Sequence, residues 1–118
     1  MESLAGKFAK AGNDGTWILD FDGGGQIRIE REFTLVPASG EPRIVLRDPS
    51  TEVQSALTGQ VESVNWTEAG ALTVRYVTGL ALEVPVDPDY EAWTVVDASG
   101  RLVVASPGGG VTTFPPRS

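Results

Sequence analysis

The chain has no cysteine and no histidine among its 118 residues. Without thiols there are no disulfides, thiolate metal sites or cysteine nucleophiles, and a reducing compartment, the cytoplasm, is the expected setting. Without imidazole, Ser-His-Asp triads, Cys-His dyads and His-ligated zinc are excluded, so a hydrolase or metalloenzyme would have to run on carboxylates. No apolar run is long enough to span a bilayer, and Met1-Glu2-Ser3-Leu4-Ala5-Gly6 has neither the basic start nor the apolar stretch of a signal peptide. Positive charge is also scarce, with nine Lys and Arg against sixteen Asp and Glu and a net charge of −7. Affinity for phosphate backbones comes from clustered basic side chains, so nucleic acid and anionic membranes are not expected partners. A basic protein would be steered toward such a surface, although the same acidity also serves solubility.

What is present is a repeat. The segment Glu32-Phe33-Thr34-Leu35-Val36-Pro37-Ala38-Ser39-Gly40 matches the stretch around Trp93 to Gly100 at an offset of 60, aromatic onto aromatic and Ala-Ser-Gly onto Ala-Ser-Gly. Leu4-x-Gly6-x-Phe8 matches Leu57-x-Gly59-x-Val61 at an offset of 53. The alternating run Trp17 to Phe21 matches Leu72 to Tyr76 at an offset of 55; a glycine turn and Gln26 to Glu30 follow the first, and Val77-Thr78-Gly79 and Leu80 to Val84 follow the second. Period-two alternation of apolar and polar residues places one face of a strand in a core, and glycine between two such runs marks a hairpin. Placing Phe21 opposite Ile27 sets Asp20 opposite Arg28, and the same register sets Arg75 opposite Glu83. Each pair is attractive and worth about 0.2 to 1 kcal/mol.

A third and fourth strand follow in each copy, Phe33 to Val36 with Arg43 to Leu46, and Trp93 to Val96 with Arg101 to Ala105. One helix is expected over 49–58, with Asp48 as N-cap, Pro49 at the first helical position and Val53, Ala56 and Leu57 on one face. Val111 to Phe114 reads as a last strand, ended by Pro115-Pro116. The expectation is one domain, all-β and mainly antiparallel with one short helix. Two similar units, 4–47 and 57–114, would pack about a pseudo-twofold axis as a sandwich or a closed or split barrel. Trp17, Leu19, Phe21, Ile27, Ile29, Phe33 and Leu35, with Leu72, Val74, Tyr76, Leu82, Val84, Trp93 and Val95, would fill its centre.

Chemistry has few places to sit. Asp87-Pro88-Asp89-Tyr90-Glu91 sets three carboxylates at alternate positions, a spacing that offers oxygens to Ca²⁺ but lacks the glycine of a tight chelating loop; a solvated strand-breaking loop explains it as well. Asp20-x-Asp22 before Gly23-Gly24-Gly25 lacks a closing bidentate Glu. That glycine run, and Gly108-Gly109-Gly110, precede strands and not helices, so they read as turns rather than phosphate cradles. Glu30, Glu32, Glu83 and Glu91 supply carboxylates for acid-base work only if two of them converge; otherwise they are a solvent face. No metal or cofactor is implied.

The two copies differ most where the offset changes from 55 to 60, so the second carries five extra residues around Pro85 to Tyr90. Insertions into surface loops cost little, and loops are where binding residues concentrate. Asp87, Asp89, Tyr90, Glu91 and Trp93 combine aromatic area with negative charge there, a composition suited to a basic protein surface. In the alternative reading Trp93 is core, like Phe33.

Leu4 and Gly6, Arg28 and Glu30, Glu91-Ala92-Trp93 and Pro107-Gly108-Gly109 together resemble a family of small actinobacterial β proteins classed as a domain of unknown function. The resemblance covers nearly the whole chain; where family members often carry a tryptophan after Pro-Gly-Gly, this chain has Phe114. The Glu-Ala-Trp and Pro-Gly-Gly pairing is also similar to that of some small immunity proteins of bacterial toxin systems. These resemblances imply the all-β fold and bring no established activity or active-site residues. The expectation is a non-catalytic protein-binding module, in its sharpest form an immunity-like neutraliser of a basic toxin. The alternative is a small-ligand or Ca²⁺ binder using a barrel interior, and a third reading is a carboxylate enzyme.

Overall fold

Residues 1–116 are described by a computed structural model. A 3₁₀ turn, Glu2–Leu4, leads into five strands: β1 (Phe8–Asn13), β2 (Trp17–Phe21), β3 (Gln26–Ile29), β4 (Phe33–Val36) and β5 (Arg43–Val45). The helix α1 (Thr51–Leu57) follows. Then come β6 (Gly59–Trp66), β7 (Leu72–Tyr76), β8 (Ala81–Val84), β9 (Trp93–Val96), β10 (Leu102–Ala105) and β11 (Val111–Phe114). All pairings are antiparallel, and the strands form one sheet in the order β11-β10-β9-β3-β2-β1-β6-β7-β8-β4-β5.

Five of the hairpins are built by one local device. In the loops 22–24, 68–70, 77–79, 98–100 and 107–109, the N–H of the third loop residue donates to the carbonyl of the residue before the loop. That same preceding residue donates its own N–H to the carbonyl of the residue after the loop. The third residue is Gly24, Gly70, Gly79, Gly100 or Gly109, with φ between 90° and 126°. This is the three-residue hairpin loop closed by a left-handed residue, which a side chain with a Cβ adopts only under strain.

The tight loop corrects the expected register. Leu19, not Phe21, lies opposite Ile27, and Asp20 lies opposite Gln26, whose amide donates to it at 2.9 Å. Arg28 lies opposite Ile18 and reaches Thr16 Oγ1 at 2.8 Å and Asp14 at 3.2 Å. Arg75 faces Ala81, and Glu83 faces Thr73 on one side and Thr34 on the other. A shift of two residues leaves every side chain on its expected face, so the core is unchanged.

Strand β6 joins the halves of the sheet. It pairs with β1 only through Phe8↔Gln60 and Ala9↔Gly59, and runs along β7 from Val61↔Tyr76 to Trp66↔Leu72 with a register shift between Val61 and Ser63. Each half buries one face, and the two faces contribute to a single apolar cluster. The fourteen side chains expected at the centre are all buried, Trp17 and Trp93 completely. At about 25 cal/mol per Å² of apolar area, such burial is the main force holding the halves together.

The sheet is not closed, so the closed-barrel alternative is corrected. Past β5 the carbonyls of Leu46 and Arg47 accept hydrogen bonds from Trp17 Nε1 at 2.9 Å and Asn13 Nδ2 at 2.7 Å, and β5 finds no second strand. The two outer strands are short; Pro42 precedes β5 and Pro115-Pro116 follow β11, which limits further pairing at those edges.

The helix is shorter than expected. Ser50, not Asp48, is its N-cap and accepts the N–H of Val53 at 3.3 Å. Val53 and Leu57 are buried, whereas Ala56 is exposed, because only residues four apart face the core in so short a helix. The chain extends at Thr58, and Gly59 already belongs to β6.

Candidate functional site: a charged cleft between two crossover links

The link from β3 to β4 and the link from β8 to β9 meet at the surface. Glu30, Arg31 and Glu32 of the first, Asp87, Tyr90 and Glu91 of the second, and Arg47 beyond β5 line an open cleft of about 630 Å³. Four carboxylates face two guanidinium groups, so the cleft carries net negative charge.

Arg31 fastens the links together. Its Nε donates to the carbonyl of Glu32 at 3.0 Å, and Nη1 donates to the carbonyl of Val86 at 3.0 Å and lies 3.5 Å from Asp87 Oδ2. Asp87 shapes the loop beyond. Its Oδ1 accepts the N–H groups of Asp89 at 2.9 Å and Tyr90 at 3.1 Å, a side-chain turn that fixes the backbone without regular secondary structure. The Asp87 carbonyl accepts the N–H of Gly108 at 2.8 Å, and the Ala69 carbonyl accepts that of Gly110 at 2.8 Å. The Pro107 to Gly110 turn therefore ties the loop after β8 to the β6–β7 turn. Three glycines at positive φ let it present two N–H groups to two different segments.

The expected site residues separate into three roles. Tyr90, 71% exposed, and Glu91 line the cleft, and Asp89 is exposed beside it without lining it. Asp87 is partly buried and spends its oxygens on the loop and on Arg31. Trp93 is a correction: it is fully buried in β9, donates from Nε1 to the carbonyl of Gly70 at 2.8 Å and packs against Trp66 with ring centroids 5.8 Å apart. A large apolar ring beside a buried carbonyl is held by the core, so it does not face a partner. Arg31 and Arg47 were not expected. The sequence match held the signal for Arg31, because the residues after Ile29 align with the stretch around Pro85 to Tyr90 where the offset changes.

Among the described residues no three acidic side chains converge on a position that would hold a metal ion. No buried residue among them is polar or charged by type; the one buried hydroxyl, that of Tyr76, donates to the Leu57 carbonyl at 2.7 Å. The centre between the half-sheets thus offers little with which to orient a polar ligand. No helix of the described residues is long and apolar enough to cross a membrane.

Fold and cleft together define a small all-β domain, a single open antiparallel sheet folded over its own core and bearing a charged cleft between two crossover links. The chain belongs to the family of unknown function DUF6188, which matches residues 12–115 and so takes in the cleft and all eleven strands but the first part of β1. No curated protein and no solved structure matches it.

Proposed function

We propose that this is a non-catalytic protein-binding module whose cleft takes a basic segment of a partner. The observation that carries the reading is Tyr90, an aromatic side chain 71% exposed on a loop whose backbone is pinned through Asp87. An exposed aromatic held in place offers contact area at small entropic cost, and its ring face attracts a Lys or Arg head group. Glu30, Glu32 and Glu91 line the same cleft, so a cation over Tyr90 would enter a site that also presents carboxylates. Arg31 Nη1 is turned toward Val86 and Asp87 while Nη2 lies 3.8 Å from Glu32 Oε1, so it offsets part of this field and leaves Glu30 and Glu91 as the carboxylates it does not engage. Neutralisation of a basic toxin is one form of this activity, and the cytoplasm is the compartment we assign to it.

Capture from lysate with the wild-type chain and with a Tyr90→Ala, Glu91→Lys variant of matched stability tests it. The reading expects a basic protein retained by the first and lost by the second, with retention falling as salt rises. Equal retention by both, or retention of acidic proteins only, would overturn it.

A further inference from the structure

The pairings of the sheet repeat under the same offsets that relate the two halves of the sequence. Adding 55 to Trp17↔Ile29 of the β2/β3 hairpin gives Leu72↔Val84, an observed pair of β7/β8. Adding 60 to Leu35↔Arg43 of β4/β5 gives Val95↔Val103 of β9/β10. Moving Gly12 by 53 and Ile18 by 55 converts their β1/β2 pair into Asn65↔Thr73 of β6/β7. The rule also holds for strands that cross between copies. Arg28↔Thr94 of β3/β9 becomes Glu83↔Thr34 of β8/β4. The β1/β6 pair Phe8↔Gln60 maps onto Val61 of β6 and Lys7, the residue just before β1, where Val61 N–H donates to the Lys7 carbonyl at 2.8 Å.

We infer that the chain is a tandem fusion of a two-fold homodimer whose protomers exchanged their fourth and fifth strands, and that the cleft is the composite site of that dimer. In such a dimer β1 meets its own copy at the axis, as β1 meets β6 here, and each β3 pairs with the other protomer's β4. The two crossover links, 30–32 and 85–92, are counterparts, and Arg31 joins one to the other at Val86 and Asp87. Equivalent elements in contact flank the symmetry axis, so the cleft needs both copies. The features that distinguish the second copy also gather beside it. Its longer β6–β7 turn, its longer β8–β9 loop and the added β11 are joined by the Ala69–Gly110 and Asp87–Gly108 hydrogen bonds. Fusion would allow this one-sided elaboration, which a homodimer with identical protomers cannot have.

Two constructions test the inference, and neither depends on the partner proposed above. A protease site inserted between the exposed residues Asp48 and Pro49 cuts the full chain between the copies. The cut protein is expected to run as one particle of uncut size holding both fragments in equal amounts, with a melting temperature that rises with concentration. In the second, residues 59–116 are replaced by another copy of residues 6–58. A companion carries Trp17→Leu and Phe33→Trp in that second copy, restoring the side chains found at Leu72 and Trp93. A monomer with a strand-rich spectrum and cooperative unfolding is expected of the companion at least. Separation of the cut fragments at micromolar concentration, or loss of cooperative unfolding in both tandem chains, would overturn the inference.

Discussion

Arg31 and Asp87, fifty-six residues apart in sequence, meet at 3.5 Å with each side chain no more than 20% exposed, and they join the two crossover links that wall the cleft. The ion pair alone is worth about 0 to 1 kcal/mol, as for most pairs that water still reaches. The larger effect of Asp87 is on its own loop, where one oxygen satisfies two backbone N–H groups.

Asp87→Ala is therefore expected to cost about 1 to 2 kcal/mol, the range for loss of a side-chain cap with its charge-assisted hydrogen bonds. Asp89→Ala, two residues away and exposed, is expected to stay within about 0.5 kcal/mol of wild type. Urea unfolding measures both. Amide exchange at Asp89 and Tyr90 should quicken in the first variant only; equal exchange in the two would remove Asp87 from its role in shaping the loop.

Trp93→Phe keeps an aromatic ring but removes the donor to the Gly70 carbonyl and part of the packing against Trp66. An unsatisfied buried carbonyl costs about 1 to 3 kcal/mol, and the lost volume adds to it. The expected total is about 2 to 4 kcal/mol, far above the change for Tyr90→Ala, whose ring lies mostly in solvent. Chemical unfolding of the two variants checks the order; a reversal would mean that Trp93 is not a core residue.

The side-chain faces were legible in the sequence because one buried face imposes period two on every strand, as in Trp17, Leu19 and Phe21. The same periodicity cannot detect an even shift of register. Whether Ile27 meets Phe21 or Leu19 depends on loop length, and that was decided by Gly24 closing a three-residue turn. Strand β6 was hidden because its register shift between Val61 and Ser63 breaks the alternation. The pairing of β3 with β9 and of β8 with β4 is long-range, and neighbouring residues do not encode it. Tyr90 and Glu91 could be placed in the site from composition and the lengthened loop, but Trp93 has the same composition and a different fate. What separates it is the Gly70 carbonyl, which only the folded chain brings within reach.

Acid should act through Asp97. Desolvation raises its carboxyl pKa, but hydrogen bonds from the Ser99 hydroxyl, the Arg101 and Ser99 N–H groups and the Ser3 hydroxyl outweigh it and hold the pKa below the usual carboxylate value. A depressed folded-state pKa gives stability that is present above the unfolded value, about 3.9, and lost as pH falls through the folded one. The stability difference between wild type and Asp97→Asn should shrink as pH drops from about 5 toward 2. Parallel acid-unfolding curves for the two proteins would exclude this residue as a contributor.

Alkali should act through Tyr76, whose hydroxyl donates to the carbonyl of Leu57 at 2.7 Å at the end of α1. Burial pushes this phenol's pKa well above its ordinary value, because an anion there would lose its hydration and face a carbonyl oxygen. The folded state thus holds the proton more tightly than the unfolded state, whose tyrosines titrate near 10. The contribution of the phenol to stability is fully present below about pH 10 and is lost as pH rises from there toward the raised folded value. Tyr76→Phe keeps the ring but leaves the Leu57 carbonyl without its donor, at an expected cost of about 1 to 2 kcal/mol at neutral pH. Having no proton to lose, the variant should be less sensitive to alkali, so its deficit should narrow between pH 9 and 11 on the ordinary phenol scale. Urea titrations across that interval measure the gap, and a deficit that stays constant or widens would show that the buried phenol does not control alkaline stability.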